Sequence, residues 1–299
     1  MRVTLRQLAA LEAVAREGGI VKAAENLGLS HSAISMSLKD LEAHLGVDLF
    51  SRSGRNLKLT DIGKRVLEKA QTILAQVSDL EALTVPEQIH GRLRIGAAAP
   101  IGNYLLPSIC AAFIELHPEV QIELQVMPSQ YAIEGIYKSL IDIAFVGAPV
   151  NSKHIEAIPW LRDPLIVCVG PDHPLARHRM TDFSLEDLAQ EKWIMEKTHS
   201  SERTSFTIEA LKSVNSLNIV LESDSVESIK RAVQSGTGLA CLSRLVVNQE
   251  VESGALVALK VRELDFTRIF SLIIRRKNYQ TQAVHAFRDF ALNLRTKAV

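Results

Sequence analysis

The 299-residue chain lacks the features that would assign it to most chemical classes. It has three cysteines, Cys110, Cys168 and Cys241, odd in number and far apart. They suit thiols in a reducing compartment better than a disulfide frame or a zinc site. No stretch approaches the ~20 apolar residues of a membrane span, so no membrane partner is expected. The opening segment MRVTLRQLAALEAVAREGG carries Glu12 and Glu17 and lacks the apolar core of an export signal. The expected location is therefore cytoplasmic, which speaks against a solute-binding transport protein. A formal net charge of +0 argues against a protein that coats nucleic acid indiscriminately. There is no Gly-x-Ser-x-Gly elbow, P-loop or dinucleotide fingerprint, so an enzyme has little support. His173, His178 and His199 show no metal-ligand spacing; neither metal nor cofactor is expected. Internal repeats and low-complexity tracts are missing as well.

What the chain does have is concentrated in Ile20 to Thr60, IVKAAENLGLSHSAISMSLKDLEAHLGVDLFSRSGRNLKLT. Ala23, Ala24 and Leu27 fall at helical spacing, and Gly28 breaks the helix where two helices must turn sharply. Ser30 and Ser32 can cap a second helix with an apolar stripe of Ile34, Leu38, Leu41 and Leu45. The opposite face carries Ser32, Ser35, Met36 and Lys39. Two short helices joined by a glycine-containing turn can place the second in a DNA major groove. The segment LFSRSGRNLKLT, with Ser53–Gly54 at its centre, reads as a β-hairpin wing. Arg52, Arg55 and Lys58 cluster there, and local charge is what meets phosphate.

A helix over 5–17, with Leu5, Leu8, Leu11 and Val14 inside, precedes the pair. Thr60 is an N-cap followed by Asp61, and Ile62, Val66, Leu67, Ala70, Ile73, Leu74, Val77, Leu80 and Leu83 repeat every three or four residues up to Pro86. Such a stripe wants a partner helix, and self-pairing is the simplest choice; Leu67, Ile73 and Leu74 are expected at that seam. From Gly91 onward, strands alternate with helices. LRIG (93–96), QIELQV (121–126) and IAFVG (143–147) read as buried strands separated by helices at 102–117 and 130–139. LIVCVG (165–170), KWIM (192–195), IVLE (219–222), GLACLS (238–243) and FSLIIRR (270–276) continue the theme, and an amphipathic helix closes it at 282–294. The alternation implies α/β architecture with a mostly parallel sheet.

These residues resemble the LysR-type transcriptional regulators. The matches are AA at 23–24, LxxSHSAIS at 27–35, LExxLGVxLFxR at 41–52, LTxxG at 59–63, LRIG near 93, IGNYLLP at 101–107, F-x-x-x-x-P at 113–118 and SGTGLACLSR at 235–244. IGNYLLP and GLACLSR point to the branch near YeiE and, more distantly, CysB, which deals with sulfur metabolism. The resemblance implies an all-α winged helix-turn-helix at 1–60, a linker and dimerisation helix at 61–90, and an α/β effector domain at 91–299. That domain would have two lobes, like a periplasmic binding protein: lobe I at 91–162 and 268–299, lobe II at 163–267. The chain would cross between them near Trp160–Pro164 and Asp265–Ile269. The implied partners are double-stranded DNA at a pseudo-palindromic promoter site, RNA polymerase, and further copies of the chain as a homodimer or a tetramer of paired dimers. A small anionic metabolite would lie in the cleft between lobes.

On that basis the candidate DNA-binding residues are Ser30, His31, Ser32, Ser35, Met36, Lys39, Arg52, Arg55 and Lys58. Short hydroxyls allow close approach to phosphates and base edges, and Lys39 can reach phosphate or guanine. His31 departs from the Gln frequent in relatives, so no base preference carries over. The plain alternative is a solvated helix face beside a charged hairpin. In the effector domain, helix starts could hold a small anion through backbone N–H groups. Ala98, Ala99, Pro100, Ile101, Gly102 and Asn103 follow one strand, with Gly102 permitting close approach. Ser129, a candidate N-cap, and Gln130 follow the next. Ser200 and Arg203 follow KWIM, where Arg203 could pair with an oxyanion or simply lie on the surface. Ser225, Val226 and Glu227 open a further helix, where ligand contact competes with an ordinary cap. Relatives that bind sulfur oxyanions tend to carry Ser or Thr where this chain has Ala98-Ala99-Pro100. The effector is therefore either a sulfur oxyanion such as sulfite, held by an intact backbone nest, or a small organic acid. An enzyme and a constitutive DNA-binding architectural protein are the competing classes.

Overall fold

The structure, a computed structural model, describes residues 2–53, 56–82, 89–178, 182–197, 206–207, 214–262, 267–276 and 280–294. The N-terminal unit packs three helices, α1 (Leu5–Glu17), α2 (Ile20–Leu27) and α3 (His31–Leu45), beside a hairpin of β1 (Phe50–Ser53) and β2 (Asn56–Leu59). The Thr4 hydroxyl accepts from the Gln7 N–H, and the Gln7 side chain accepts from the Thr4 N–H, so α1 starts with a capping box. Gly28 ends α2 with φ 62°, a left-handed turn that lets α3 leave sharply. Leu8, Leu11, Val14, Ala23, Ala24, Ile34, Leu38 and Leu41 meet in one core. Two expected members are missing from it: Leu5 is 45% exposed, and Leu45, the last residue of α3, is 38% exposed.

The following helix, α4 (Asp61–Ala82), starts where the Thr60 hydroxyl accepts from the Gly63 N–H at 3.0 Å. The expected stop at Pro86 lies outside the described residues. The helix carries two apolar faces rather than one. Leu67 and Ala70, with Leu74 beside them, pack into the core of the N-terminal unit, so the expectation that Leu67 and Leu74 belong to an intermolecular seam is corrected. Ile62, Ile73 and Leu80, spaced by three turns and two turns, stay exposed on a neighbouring face.

The remainder forms two lobes on a mixed sheet. Lobe I contains β3 (Gly91–Ala97), α5 (Ala99–Tyr104), α6 (Leu106–Leu116), β4 (Val120–Val126), α7 (Ser129–Tyr137) and β5 (Ile143–Val146). The single helix expected at 102–117 is two helices, because Pro107 has no N–H to continue the ladder and its ring excludes the carbonyl four residues back. The long β6 (Ile155–Val169) leads into lobe II, which holds a 3-10 turn (Pro174–His178), β7 (Asp182–Phe183), α8 (Leu185–Leu188), β8 (Trp193–Glu196), β9 (Ile219–Ser223), α9 (Val226–Gln234), β10 (Leu239–Ser243), α10 (Arg244–Ser253) and β11 (Val257–Val261). β12 (Thr267–Arg275) returns to lobe I, and α11 (Gln282–Leu294) closes it.

Strands run in the order β4-β3-β5-β12-β6-β10-β8-β9, with β11 also on β6. The β3–β4, β3–β5, β8–β9 and β8–β10 pairs are parallel, but β12 is antiparallel to β5 and β6, and β6 is antiparallel to β10 and β11. The mostly parallel expectation therefore fails at the centre. β6 and β12 carry the chain between lobes in opposite directions and pair with each other. Alternation with period two sends successive side chains to opposite faces. Ile143 and Phe145 join Trp160, Phe270 and Phe287 on one side of lobe I, while Ala144, Val146 and Ile273 meet α7 on the other. In lobe II, Trp193 and Met195 face one core and Ile194 the other.

Candidate nucleic-acid interface and effector cleft

α3 is amphipathic in the sense needed for groove insertion. Ile34, Leu38 and Leu41 are buried, and this anchors the helix so that the opposite face projects. On that face Ser32, Ser35, Met36 and Lys39 are exposed, as are Ser30 and His31 at its start. Met36 is 64% exposed, an unusual place for a thioether on a helix with a free choice of polar residues. Ser30 does double service: its hydroxyl accepts from the Ala33 N–H at 3.2 Å and lies 3.0 Å from the Ser32 hydroxyl. It is therefore the N-cap, whereas Ser32 lies one residue inside the helix and does not cap it.

The hairpin pairs Phe50 with Leu59, Ser51 with Lys58 and Arg52 with Leu57. Lys58 is exposed, and Arg55 lies outside the described residues. What aims the hairpin was not singled out from sequence. Glu42, one turn before the end of α3, accepts from the Leu49 N–H at 2.7 Å and the Phe50 N–H at 3.2 Å. Thr60 donates its hydroxyl to the Asp48 carbonyl at 2.8 Å. A Cβ on Gly63 would come within 2.1 Å of the Leu49 carbonyl oxygen, so only glycine lets α4 approach the hairpin this closely. The signals were present in LExxLGVxLF and LTxxG. Their polar members hold the wing against the helices.

In lobe I, β3 sits between β4 and β5 in a parallel set, with Ala97 opposite both Val126 and Phe145. The loops after these three strands thus share one carboxyl edge, and chain direction reverses sides there, the usual position of a ligand crevice in such sheets. Lobe II repeats the arrangement with β8 between β9 and β10. Ala98, Ser129 and Val226 each follow such a strand. Ser200 and Arg203, expected after β8, lie outside the described residues.

The chemistry at that edge differs from the expectation in three respects. Ala98 is the N-cap of α5, with no side-chain cap, and its carbonyl accepts from Ile101 and Gly102 N–H groups at 3.0 and 2.8 Å. With Pro100 having no N–H, the expected intact nest is largely spent within the helix itself. Gly102 does not provide room for a ligand. It is buried, and a Cβ there would meet Val126 Cγ2 at 2.8 Å, so its smallness serves helix–strand packing. Ser129 is not a cap either: Pro128 holds that position, and the buried Ser129 hydroxyl accepts from the Gly147 N–H at 3.2 Å, tying α7 to the end of β5. Ala98, Pro100 and Ile101 are buried, Ala99 and Val226 half-buried, and Asn103 and Gln130 exposed. Ser225 caps α9 by accepting from the Ser228 N–H at 3.3 Å.

Two polar clusters tie the lobes together, and neither was singled out. At the crossing, Asp163 on β6 and Arg268 on β12 form a 2.7 Å pair, 1% and 5% exposed, and the Ser243 hydroxyl donates to Asp163 at 2.7 Å. Arg268 also stacks 4.4 Å from the Phe270 ring centre. Between α5 and α9, the Tyr104 hydroxyl from lobe I hydrogen-bonds Glu227 of α9, and Lys230 lies 3.1 Å from Glu227 and 2.5 Å from Glu250. Burial, reinforced by Glu227, pushes the Tyr104 phenol up to about 12. The hydrogen bond from Tyr104 is the main cause holding Glu227 below the ordinary carboxylate range. Burial works against the charge on Lys230, but its two carboxylate partners outweigh it and raise its pKa.

Burial raises the Cys110 thiol to about 11 and Cys168 to about 12, so both stay protonated and unreactive at neutral pH. Among the described residues no group of three His, Cys, Asp or Glu could hold a metal ion, and no helix is long and apolar enough to cross a membrane.

Comparison with known proteins agrees with this division. Residues 5–64 match the bacterial regulatory helix-turn-helix protein of the lysR family, and residues 86–295 match the LysR substrate binding domain. The chain is 34% identical over 290 residues to the HTH-type transcriptional regulator YeiE of Escherichia coli strain K12, covering 97% of each chain. Its fold is similar to full-length OxyR from Pseudomonas aeruginosa, with TM-score 0.76 at 22% identity over 97% of this chain and 95% of that one. The effector portion is similar to the Synechocystis PCC6803 CcmR regulatory domain in complex with 2-PG, with TM-score 0.65 at 23% identity over 70% of this chain and 99% of that one.

Proposed function

Since the chain belongs to the LysR family of DNA-binding transcriptional regulators with an effector-binding domain, and is not an enzyme, we propose that it binds a pseudo-palindromic promoter site through the outer face of α3 and the wing. Ser32, Ser35, Met36 and Lys39 enter the major groove, with Ser30 and His31 at its lip. Arg52, Arg55 and Lys58 meet phosphate or the minor groove beside it. The observation that carries this reading is the exposure of that whole face on a helix whose other side is locked into a core. Residues 1–60 form the DNA-binding unit, 61–90 the linker and 91–299 the effector domain, divided into lobes at the β6 and β12 crossings.

The working form is a homodimer joined along α4, assembling further into tetramers in the cytoplasm and recruiting RNA polymerase. Support comes from Ile62, Ile73 and Leu80, an exposed apolar stripe at coiled-coil spacing. Ile73→Asp should give monomers in sedimentation with the fold intact, and a dimer that persists would contradict the seam. Leu67→Asp, by contrast, should unfold the N-terminal unit.

A small anionic metabolite binds at the carboxyl edges of the two sheets, near Ala98 to Asn103, Ser129, Gln130 and Val226, with Ser200 and Arg203 supplied from lobe II. The bound 2-PG of the CcmR regulatory domain is in keeping with a small anion. Either a sulfur oxyanion such as sulfite or a small organic acid fits. Recovery of enriched promoter fragments from genomic DNA, with a footprint altered by one such compound, tests the reading. No enriched fragment would refute the DNA role, and a footprint indifferent to every anion would leave a constitutive binder.

A further inference from the structure

The outer face of α3 offers a duplex several hydrogen-bonding groups and, at its crest, one large apolar side chain. At about 100° per residue, Met36 stands about 140–160° round the helix from the buried Ile34, Leu38 and Leu41. It therefore projects directly away from the core, and it is 64% exposed. Its neighbours one turn away on either side are Ser32 and Asp40, both exposed. The start of the helix is fixed by Ser30, whose hydroxyl accepts from the Ala33 N–H and lies 3.0 Å from that of Ser32. Core on one side and cap at one end thus set where Met36 points.

A side chain at the crest of a helix in the major groove meets either the phosphate backbone or the base edges. Phosphate is the wrong partner here. A thioether has no hydrogen-bond donor, and the Asp40 carboxylate one turn on repels a phosphate. Among base edges, adenine, guanine and cytosine present hydrogen-bonding groups alone. Covering those with a thioether strips their water and returns no hydrogen bond, which is costly. Thymine adds an apolar group, its C5-methyl. Contact between that methyl and the thioether takes apolar surface on both sides out of water. Three rotatable bonds let the methionine reach it without a shift of the helix.

The polar groups beside it do not make the same distinction. Serine hydroxyls both donate and accept, so they suit more than one base, and Lys39 serves phosphate or guanine. We propose that Met36 reads the C5-methyl group of one thymine in each half-site, and so fixes a T·A pair at that position. The inference deepens the DNA-binding function proposed above and rests on it. Met36 then acts on the choice among sequences, while the general attraction for duplex comes from the cations around it.

The test uses the full chain and the shortest genomic fragment it retains, resynthesised with each thymine in turn replaced by deoxyuridine. That exchange deletes the methyl group and keeps the base pairing. One thymine in each half-site should prove sensitive, with loss of its methyl weakening binding about fourfold and loss of both about tenfold or more. Met36→Ala should bind the unmodified fragment more weakly by the same factor and be indifferent to deoxyuridine at those two positions. Its thermal midpoint and the salt dependence of its binding should match the wild type. Met36→Leu, which keeps an apolar tip, should retain the sensitivity. Failure to retain any fragment would remove the DNA-binding function itself, and this inference with it. A retained fragment with no sensitive thymine overturns the methyl contact alone, as does sensitivity that persists in Met36→Ala. A Met36→Leu protein as indifferent as Met36→Ala also overturns it, because apolar contact would then not be the cause.

Discussion

The winged unit and the effector lobes treat polar side chains in opposite ways. On α3 the polar groups face outward with few internal partners. At the carboxyl edge of lobe I, the polar groups expected to greet a ligand are paired inside the protein: Ser129 with Gly147, and the Ala98 carbonyl with the first turn of α5. The size of the partner explains the contrast. A duplex is a rigid cylinder that can meet only what already projects. A small molecule between two lobes can be met by backbone ends and by side chains brought together as the lobes close.

The largest expected effect comes from breaking the buried pair where β6 and β12 cross between the lobes. Asp163→Ala leaves Arg268 buried without its carboxylate and should cost about 3–5 kcal/mol. The two tryptophans serve as local reporters in denaturant, since Trp160 is buried in lobe I and Trp193 in lobe II. Loss of coincidence between them would show that the lobes had separated, whereas an unchanged midpoint would mean that the pair is dispensable.

Glu42→Ala should follow, at about 1.5–3 kcal/mol, because two buried-side backbone donors lose a charged acceptor. DNA affinity should fall although Glu42 never touches phosphate, and the salt dependence of binding should stay as it was. Lys39→Ala draws the opposite line. Stability should remain within about 0.5 kcal/mol, while the slope of log affinity against log salt falls by about one. If Lys39→Ala instead destabilises the unit and leaves the slope alone, the division between scaffold and reader fails.

The smallest effect is a titration. The Tyr104 phenol should ionise late, at about 12, because burial and Glu227 disfavour its anion. The folded pKa lies above the ordinary value of 10, so this group's contribution is complete below pH 10 and fades as pH rises from there toward 12. Glu227 has the reverse sign. Its depressed pKa makes its contribution present above the ordinary carboxylate value and lost as pH falls through the folded one. Tyr104→Phe should remove a phenol step near pH 12 from the ultraviolet difference spectrum. Retention of that step would place Tyr104 outside the lobe contact.

Much of the fold was legible because its signals are local. The helix at 282–294 coincides with the observed one, the strands at 93–96 and 121–126 fall inside observed strands, and that at 143–147 overruns its strand by one residue, since period and end signals travel with each segment. Where Pro107 split a helix, the residue was visible but its consequence was overridden by apolar spacing on either side. The central antiparallel pairing of β6 and β12 was not legible, because direction depends on which strand becomes the neighbour. Site residues divide in the same way. The exposed face of α3 follows from a single helical period. Gly102 and Ser129, by contrast, look ligand-ready in the sequence and are spent on Val126 and Gly147, neighbours that only the folded sheet supplies.

The order of amino acids by itself set the helix-turn-helix, the amphipathic α4 and the alternation of strand and helix. Each depends on interactions within a few residues, which a short stretch encodes completely. Tertiary structure alone decided which face of α4 the first domain takes, how α4 meets lobe I through Glu68 and Arg275, and how two strands clasp through Asp163 and Arg268. Those outcomes join groups up to 105 positions apart in one pair and 207 in another. Contacts across such distances are set by packing geometry, which no local pattern records.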